Sequence, residues 1–244
     1  MPASMSPTTT TTRCAANSER LFPFTGGSRF IQNGVLSARQ TGRFGHALLA
    51  AVIPAGLWLT WQTGPGLLLI GAGGLFAGWA YSAPPLKLMS RGLGELAIAA
   101  GWLLVVVGTD YVQRGSFDVL PAAAGLSYAL LVANLLFINQ FPDRTGDAAT
   151  GKNTLVVKLG PQAAKWGYLL IAIVAYGWLV GMSSNGTLPQ KTAAAAMTLV
   201  LSFSAGRELL QHAEDPAELG PAIKRTILAA NLHGLILAGA LAFG

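Results

Sequence analysis

The chain has 244 residues, of which 11% are charged, against about 25% in an ordinary soluble domain. Apolar residues make up 52% of the chain, and 30 glycines come in addition. So few charges cannot cover the surface of a soluble protein of this size. The composition therefore excludes a typical soluble enzyme, a disordered chain and a nucleic-acid-binding domain. It favours a helical membrane protein, in which lipid solvates the apolar surface.

Apolar stretches recur along the chain after a low-complexity start. Residues 1–16 include a run of threonines, and we interpret them as a disordered tail. The later stretches are continuously apolar without alternation, which favours helices over strands. We therefore predict an all-α bundle with seven membrane spans, although any single stretch could instead be the core of a soluble helical protein. The stretches are Phe44–Trp61, Gly66–Tyr81, Leu93–Val112, Val119–Ile138, Ala164–Met182, Thr192–Gly206 and Ile227–Phe243.

The basic residues are distributed unequally between the two sets of loops that seven spans create. Fourteen of the sixteen lysines and arginines fall in the N-terminal region and in loops 82–92, 139–165 and 204–226. The opposite set holds only Arg114 and Lys191. Cytoplasmic loops of membrane proteins carry an excess of basic residues. The split therefore predicts that the first set of loops faces the cytoplasm.

The segment after the fourth stretch contains the most informative polar pattern. Asn139, Asp143 and Asp147 follow one another at intervals of four residues, which places them on one face of a helix leaving the membrane. Two neighbouring carboxylates repel each other unless a cation joins them, and Mg²⁺ often binds one or two carboxylates together with substrate phosphates. Arg144 and Lys152 could neutralise phosphate oxygens directly.

A simpler interpretation of this segment stays open. Asp143 and Asp147 could be two unrelated acids of a solvated loop. Asn134 and Asn139, which lie at membrane depth, either mark a site or form a hydrogen bond between helices.

A second loop that is predicted to face the cytoplasm has the sequence YSAPPLKLMSRGLGE, starting at Tyr81. The pair of prolines ends the helix and extends the backbone, so that Lys87 is presented near the lipid headgroups as an anion ligand. Lys87 could also be ordinary cytoplasmic-side charge, and Tyr81 an aromatic anchor at the membrane interface. Before the first span, Gly26 and Gly27 permit a tight turn next to Arg29, for which a plain loop is the favoured interpretation.

Together these segments resemble one family, the UbiA-type membrane prenyltransferases, and within it the branch that prenylates 1,4-dihydroxy-2-naphthoate in menaquinone biosynthesis. The resemblance runs from about Asn17 to the C-terminus, so that 17–244 would be one membrane domain. The matching stretches, in the family's order, are PFTGGSRFIQNGVLS, YSAPPLKLMSRGLGEL, GTDYVQRG and NQFPDRTGDAATGKNTLVVKLG.

The resemblance implies an enzyme of the cell's inner or plasma membrane, with nine helices and active-site loops on the cytoplasmic side. Two aspartate-rich motifs would hold Mg²⁺ and an isoprenyl diphosphate, whose isoprenyl group is transferred to an aromatic acceptor. Asp143 and Asp147 match the second motif, with Asn139 at its head. Tyr81 and Lys87 match the loop that contacts the diphosphate.

The resemblance also places Arg29 just downstream of the first motif, but that motif itself has no counterpart. The chain has no aspartate before Asp110, and its seven stretches correspond to the last seven helices of the family's nine. We therefore expect an incomplete N-terminal side and little transferase activity from this polypeptide alone. A catalytically impaired fragment is the alternative to an active enzyme, and a small-molecule carrier is a further one.

Overall fold

The computed structural model describes residues 30–31 and 34–243, which form helices and connecting turns without a β-strand. The predicted tail at 1–16 and Arg29 lie outside the described residues. The α-helices are α1 (Ala38–Thr63), α2 (Gly66–Ser82), α3 (Gly94–Arg114), α4 (Val119–Ala149), α5 (Leu155–Leu159), α6 (Pro161–Ser184), α7 (Leu199–His212) and α8 (Gly220–Ala242). Short 3₁₀ segments cover Leu88–Ser90, Gln190–Thr198 and Pro216–Leu219.

The prediction of an all-α membrane protein is confirmed. Six of the seven predicted stretches coincide with one α-helix each, and the sixth in chain order, Thr192–Gly206, is divided between the 3₁₀ segment Gln190–Thr198 and α7. Six helical segments of the described chain are long and apolar enough to cross a membrane. The segment Gly66–Ser82 is also apolar but has only 17 residues, and a straight helix needs about 20 to cross the hydrocarbon core. The count of seven spans therefore stays a prediction.

Helix α4 is the central element of the bundle. It packs against α3, α6 and α8. Large side chains such as Phe137 and Phe141 are almost completely buried in a core cluster that also contains residues of α6, α7 and α8. Gly167 on α6 leaves room for the Phe137 ring, because a Cβ there would lie 2.9 Å from Phe137 Cζ. Small residues that admit a neighbour's side chain in this way are typical of helix contacts in membranes.

Polar side chains inside the bundle form hydrogen bonds between helices. Asn134 Nδ2 donates to the backbone oxygen of Tyr168 at 3.1 Å, so that the interhelical hydrogen bond considered for Asn134 is present between α4 and α6. His233 on α8 is completely buried. Its Nε2 lies 3.0 Å from Ser127 Oγ, and its Nδ1 lies 3.2 Å from Ala195 O. These contacts join α4 to α6 and α8, although Asn134 Oδ1 is buried without a hydrogen-bond partner among the described residues.

The turns after α2 and α4 meet at one end of the bundle. The Asn153 backbone N–H donates to Ser90 O at 3.2 Å, and Lys158 Nζ donates to Arg91 O at 2.6 Å. Gly92, at φ +72°, passes so close to Leu155 that a Cβ would lie 3.2 Å from Leu155 Cδ2. Two loops distant in sequence thereby enclose a common space.

Candidate active site

A pocket of about 130 Å³ lies between these two loops and the adjoining helix ends. The C-terminal part of α4 forms one wall, the start of α3 and the end of α2 form the other, and the turn after α4 closes it. Its lining is rich in polar and charged groups for a site in an apolar bundle. It consists of Tyr81, Met89, Gly92, Gly94, Glu95, Leu136, Asn139, Gln140, Asp143, Asp147, Lys152 and Thr154.

The three polar residues at intervals of four all line this pocket. Helix α4 continues without interruption to Ala149, eleven residues past the predicted end of the span at Ile138, and it carries Asn139, Asp143 and Asp147 on one face. Pro142 lies within the helix, although its missing N–H removes one backbone hydrogen bond. The helical geometry, rather than a loop, therefore presents both carboxylates to the same space.

Lys152 reaches the pocket because the chain reverses immediately after α4. Gly151 takes a positive φ of +75°, and the Lys152 backbone N–H donates to Asp147 O at 2.9 Å. Lys152 Nζ then lies 3.3 Å from Asp147 Oδ1, with both side chains mostly buried. A cation and a carboxylate are thus held side by side at the base of the pocket.

The pocket also contains two residues that were not predicted from the sequence, Glu95 on the wall formed by α3 and Gln140 on the wall formed by α4. Glu95, in the first turn of α3, is buried and accepts a hydrogen bond from Gln140 Nε2. Gln140 Oε1 in turn accepts the Val156 backbone N–H at 3.4 Å. A carboxylate at the edge of an apolar stretch is uncommon and often functional, and that signal was available for Glu95. Gln140 carries no comparable signal.

The other predicted site residues lie outside this pocket or outside the described chain. Lys87 lies in the left-handed region at φ 44° and is the N-cap residue of the 3₁₀ segment Leu88–Ser90, but it is not part of the lining. Arg144 follows Asp143 by one residue and so points about 100° away around the helix. Arg29 lies outside the described residues. The structure therefore brings together Tyr81, Asn139, Asp143, Asp147 and Lys152.

The pocket's donor set fits a hard cation with an anionic ligand. Asn139 Oδ1 and Thr154 Oγ1 are buried and have no hydrogen-bond partner among the described residues, and such unsatisfied atoms are costly without a ligand. Within residues 30–31 and 34–243, no three His, Cys, Asp or Glu side chains are grouped to hold a metal ion. Mg²⁺ needs only one or two protein carboxylates when substrate phosphates and water complete its shell, which Asp143 and Asp147 can supply.

The sequence of the chain is similar to that of a known protein family. Residues 26–220 match the model of the UbiA prenyltransferase family. The chain is 30% identical over 226 residues to the 1,4-dihydroxy-2-naphthoate octaprenyltransferase of Mycobacterium tuberculosis. The aligned region covers 89% of this chain and 72% of that relative. It is 27% identical to the enzyme of the same name from Escherichia coli, over 86% of this chain and 70% of the relative.

Over a shorter region, the chain is also similar to a protein named for another activity. The chloroplastic chlorophyll synthase of Arabidopsis thaliana is 30% identical over 122 residues, which are 49% of this chain and 32% of that protein. No solved structure matches the chain at a significant level. The family match covers most of the chain, and the resemblance seen in the sequence is confirmed. The chain belongs to the UbiA prenyltransferase family and is a membrane prenyltransferase.

Proposed function

We propose that the protein transfers an isoprenyl group from an isoprenyl diphosphate to a carbon of an aromatic ring, with 1,4-dihydroxy-2-naphthoate as the acceptor. The diphosphate leaves with the bonding electron pair, and the ring carbon that is attacked releases its proton, or its carboxyl group as CO₂. The observation that carries this proposal is the pairing of Asp143 and Asp147 on one face of α4, beside Lys152, in a pocket with unsatisfied polar atoms. Carboxylates, a lysine and free hydrogen-bonding groups are the set that a diphosphate and its magnesium require.

Within this pocket the residues have separate tasks. Asp143 and Asp147 would hold Mg²⁺, which when bound supplies positive charge to the departing diphosphate. Lys152 contributes a second positive charge, held in place by Asp147. Asn139 would donate a hydrogen bond from Nδ2 to the diphosphate, and its unpaired Oδ1 is an oxygen ligand of the kind that Mg²⁺ prefers. These groups stabilise negative charge that grows on the diphosphate as its bond to the allylic carbon breaks, which is electrostatic catalysis by a preorganised site.

Tyr81 lies where the polar pocket ends and an apolar groove begins, since it lines both. A ring at this position would shield the allylic carbon from water while the new carbon–carbon bond forms. Lys87, Arg144 and Arg29 would contribute to substrate binding through their positive charge, which attracts a diphosphate towards the cytoplasmic end of the bundle.

The naphthoate acceptor is supported by the names of similar proteins. Relatives from M. tuberculosis, M. leprae, Bacillus subtilis and E. coli are all called 1,4-dihydroxy-2-naphthoate octaprenyltransferase. The similarity to chlorophyll synthases covers a smaller part of the chain. We therefore propose the naphthoate over a chlorophyll precursor, in a reaction of menaquinone biosynthesis at the cytoplasmic face of the membrane.

The test uses the 244-residue chain in lipid nanodiscs with farnesyl diphosphate, Mg²⁺ and 1,4-dihydroxy-2-naphthoate. Equilibrium binding of the diphosphate and formation of the prenylated product, measured by mass spectrometry, are followed separately. The double variant Asp143→Asn/Asp147→Asn should lose magnesium-dependent binding by at least about 100-fold. The matched control is Asp215→Asn, since Asp215 lies exposed in the loop before α8.

The outcomes separate the competing functions. Magnesium-dependent binding with product supports the transferase. Binding without product identifies a catalytically impaired member of the family. Absence of magnesium-dependent binding in the unaltered chain contradicts the proposal and favours a carrier.

A further inference from the structure

Glu95 is a buried carboxylate that the proposed diphosphate chemistry does not use. Only 7% of the residue is exposed, and in the part of the chain that the structure describes it has no lysine, arginine or histidine within salt-bridge distance. Its hydrogen-bond donor is the neutral amide of Gln140. A buried carboxylate without a cation is expensive, so its presence at a pocket wall points to a ligand.

A diphosphate is the wrong ligand for Glu95, because two anions at close range repel each other. The diphosphate belongs at the opposite side of the pocket, where Lys152 and the α4 face lie. A neutral hydroxyl is a better match, since it can donate a hydrogen bond to the carboxylate, and hydrogen bonds to charged groups are the strong ones.

An apolar groove of about 350 Å³ continues from the pocket between α2 and α3. Tyr81 lines both spaces. Ile98 and Trp102 in the groove follow Glu95 by three and seven residues, so that all three share one face of α3. Trp102 packs edge-on against Tyr128, with ring centroids 5.6 Å apart, which holds a flat apolar wall one to two turns from the carboxylate.

The opposite side of the groove is formed by glycines. Among the described residues, no atom lies within 4 Å of a Cβ added to Gly74 or Gly78 on α2, so this part of the chain leaves the space above them open. Small-molecule sites have volumes of about 300–1,000 Å³. The groove is at the lower end of this range, which suits a compact bicyclic ring better than a long isoprenyl chain.

We propose that Glu95 accepts a hydrogen bond from a ring hydroxyl of the aromatic acceptor, whose ring lies in the groove between α2 and α3. This inference rests on the proposed transferase function and assigns the acceptor's position within it. It makes Glu95 a determinant of specificity for hydroxylated rings. It also places the ring next to Tyr81, where the polar pocket for the diphosphate ends.

The experiment measures binding, so that it does not depend on turnover. Nanodiscs with the 244-residue chain are titrated with 1,4-dihydroxy-2-naphthoate and with 1,4-dimethoxy-2-naphthoate, which differ in the ability to donate a hydrogen bond. The unaltered chain should prefer the dihydroxy compound by about tenfold or more. In Glu95→Gln, which keeps the shape of the side chain, the preference should fall to about twofold. Magnesium-dependent binding of farnesyl diphosphate should not weaken, because the substitution removes an anion from the pocket wall.

A second pair of variants tests the groove. Gly78→Leu fills open space and should weaken naphthoate binding at least about tenfold without affecting farnesyl diphosphate. Gly71→Leu is the control, because Gly71 also has open space above it on α2 but does not line the groove. If Gly78→Leu instead weakens the diphosphate and spares the naphthoate, the groove holds the isoprenyl chain and the inference is wrong.

The remaining outcomes distinguish this inference from the function on which it rests. Normal diphosphate binding with no preference for the hydroxyl groups, or a preference that survives in Glu95→Gln, overturns the role of Glu95 alone. Failure of the unaltered chain to bind farnesyl diphosphate with Mg²⁺ overturns the proposed function, and the acceptor site with it.

Discussion

Lys152 Nζ lies 3.3 Å from Asp147 Oδ1, across the turn that ends α4. The pair is mostly buried, and the same turn joins the two residues through the backbone bond from Lys152 N–H to Asp147 O. The position of the lysine therefore depends on the carboxylate, and the carboxylate depends on the lysine for its charge balance.

Replacing Lys152 by Met should leave Asp147 buried without its cation. Removing one partner of a buried ion pair costs about 3–5 kcal/mol in water-soluble proteins, and we expect about 2 kcal/mol here because the pocket opens towards solvent. Thermal unfolding in detergent measures the loss. The double variant Asp147→Asn/Lys152→Met should recover most of the stability but none of the diphosphate binding. Equal stability of Lys152→Met and the unaltered chain would show that the pair is not formed.

The contact between the two pocket loops depends on Gly92. Gly92→Ala places a Cβ in the left-handed region, at φ +72°, and 3.2 Å from Leu155 Cδ2. Gly151→Ala has a similar φ of +75° but open space around its Cβ, so it reports the backbone strain alone, about 1–2 kcal/mol. Gly92→Ala should be about 1 kcal/mol less stable than Gly151→Ala because of the crowding. Identical unfolding temperatures for Gly92→Ala and Gly151→Ala would contradict the close approach of Gly92 to Leu155.

His233 joins α8 to α4 and to the segment before α7 through its ring nitrogens. His233→Phe keeps a ring of similar size but loses these hydrogen bonds, and we expect a loss of about 1–2 kcal/mol in unfolding free energy. His46→Phe is the control, because His46 is exposed and its hydrogen bond within the described part of the chain is to Gly42 O of its own helix. Both variants are compared by thermal unfolding. An unchanged unfolding temperature for His233→Phe would show that the His233 hydrogen bonds do not stabilise the protein.

Gly66, the first residue of α2, packs closely against the ring of Tyr111 at the end of α3. The Gly66 N–H donates to Tyr111 Oη at 3.0 Å, and a Cβ on Gly66 would lie 2.6 Å from Tyr111 Cζ. Gly66→Ala must displace this buried ring, at a cost of about 1–3 kcal/mol. Gly71→Ala on the same helix meets no atom of the described residues within 4 Å and should gain up to about 1 kcal/mol in stability from helix propensity. If Gly66→Ala and Gly71→Ala shift the unfolding temperature in the same direction, the close packing of Gly66 against Tyr111 is contradicted.

Part of the fold and of the site follows from local patterns in the chain. A continuous apolar stretch in lipid must satisfy its backbone internally, so the stretches predicted the helices without knowledge of their neighbours. The interval of four residues between Asn139, Asp143 and Asp147 likewise places them on one helix face whatever surrounds that helix.

Contacts between distant segments were decided by the packing of the helices. Glu95 and Gln140 are 45 residues apart, and no periodicity relates them. They meet because α3 packs along α4 with the start of one helix beside the end of the other. The same packing leaves Lys87 and Arg144 outside the pocket lining. Local spacing determines which side chains share a helix face, whereas the space that they enclose depends on which helices pack together, and that follows from the shapes and volumes of side chains along the entire bundle.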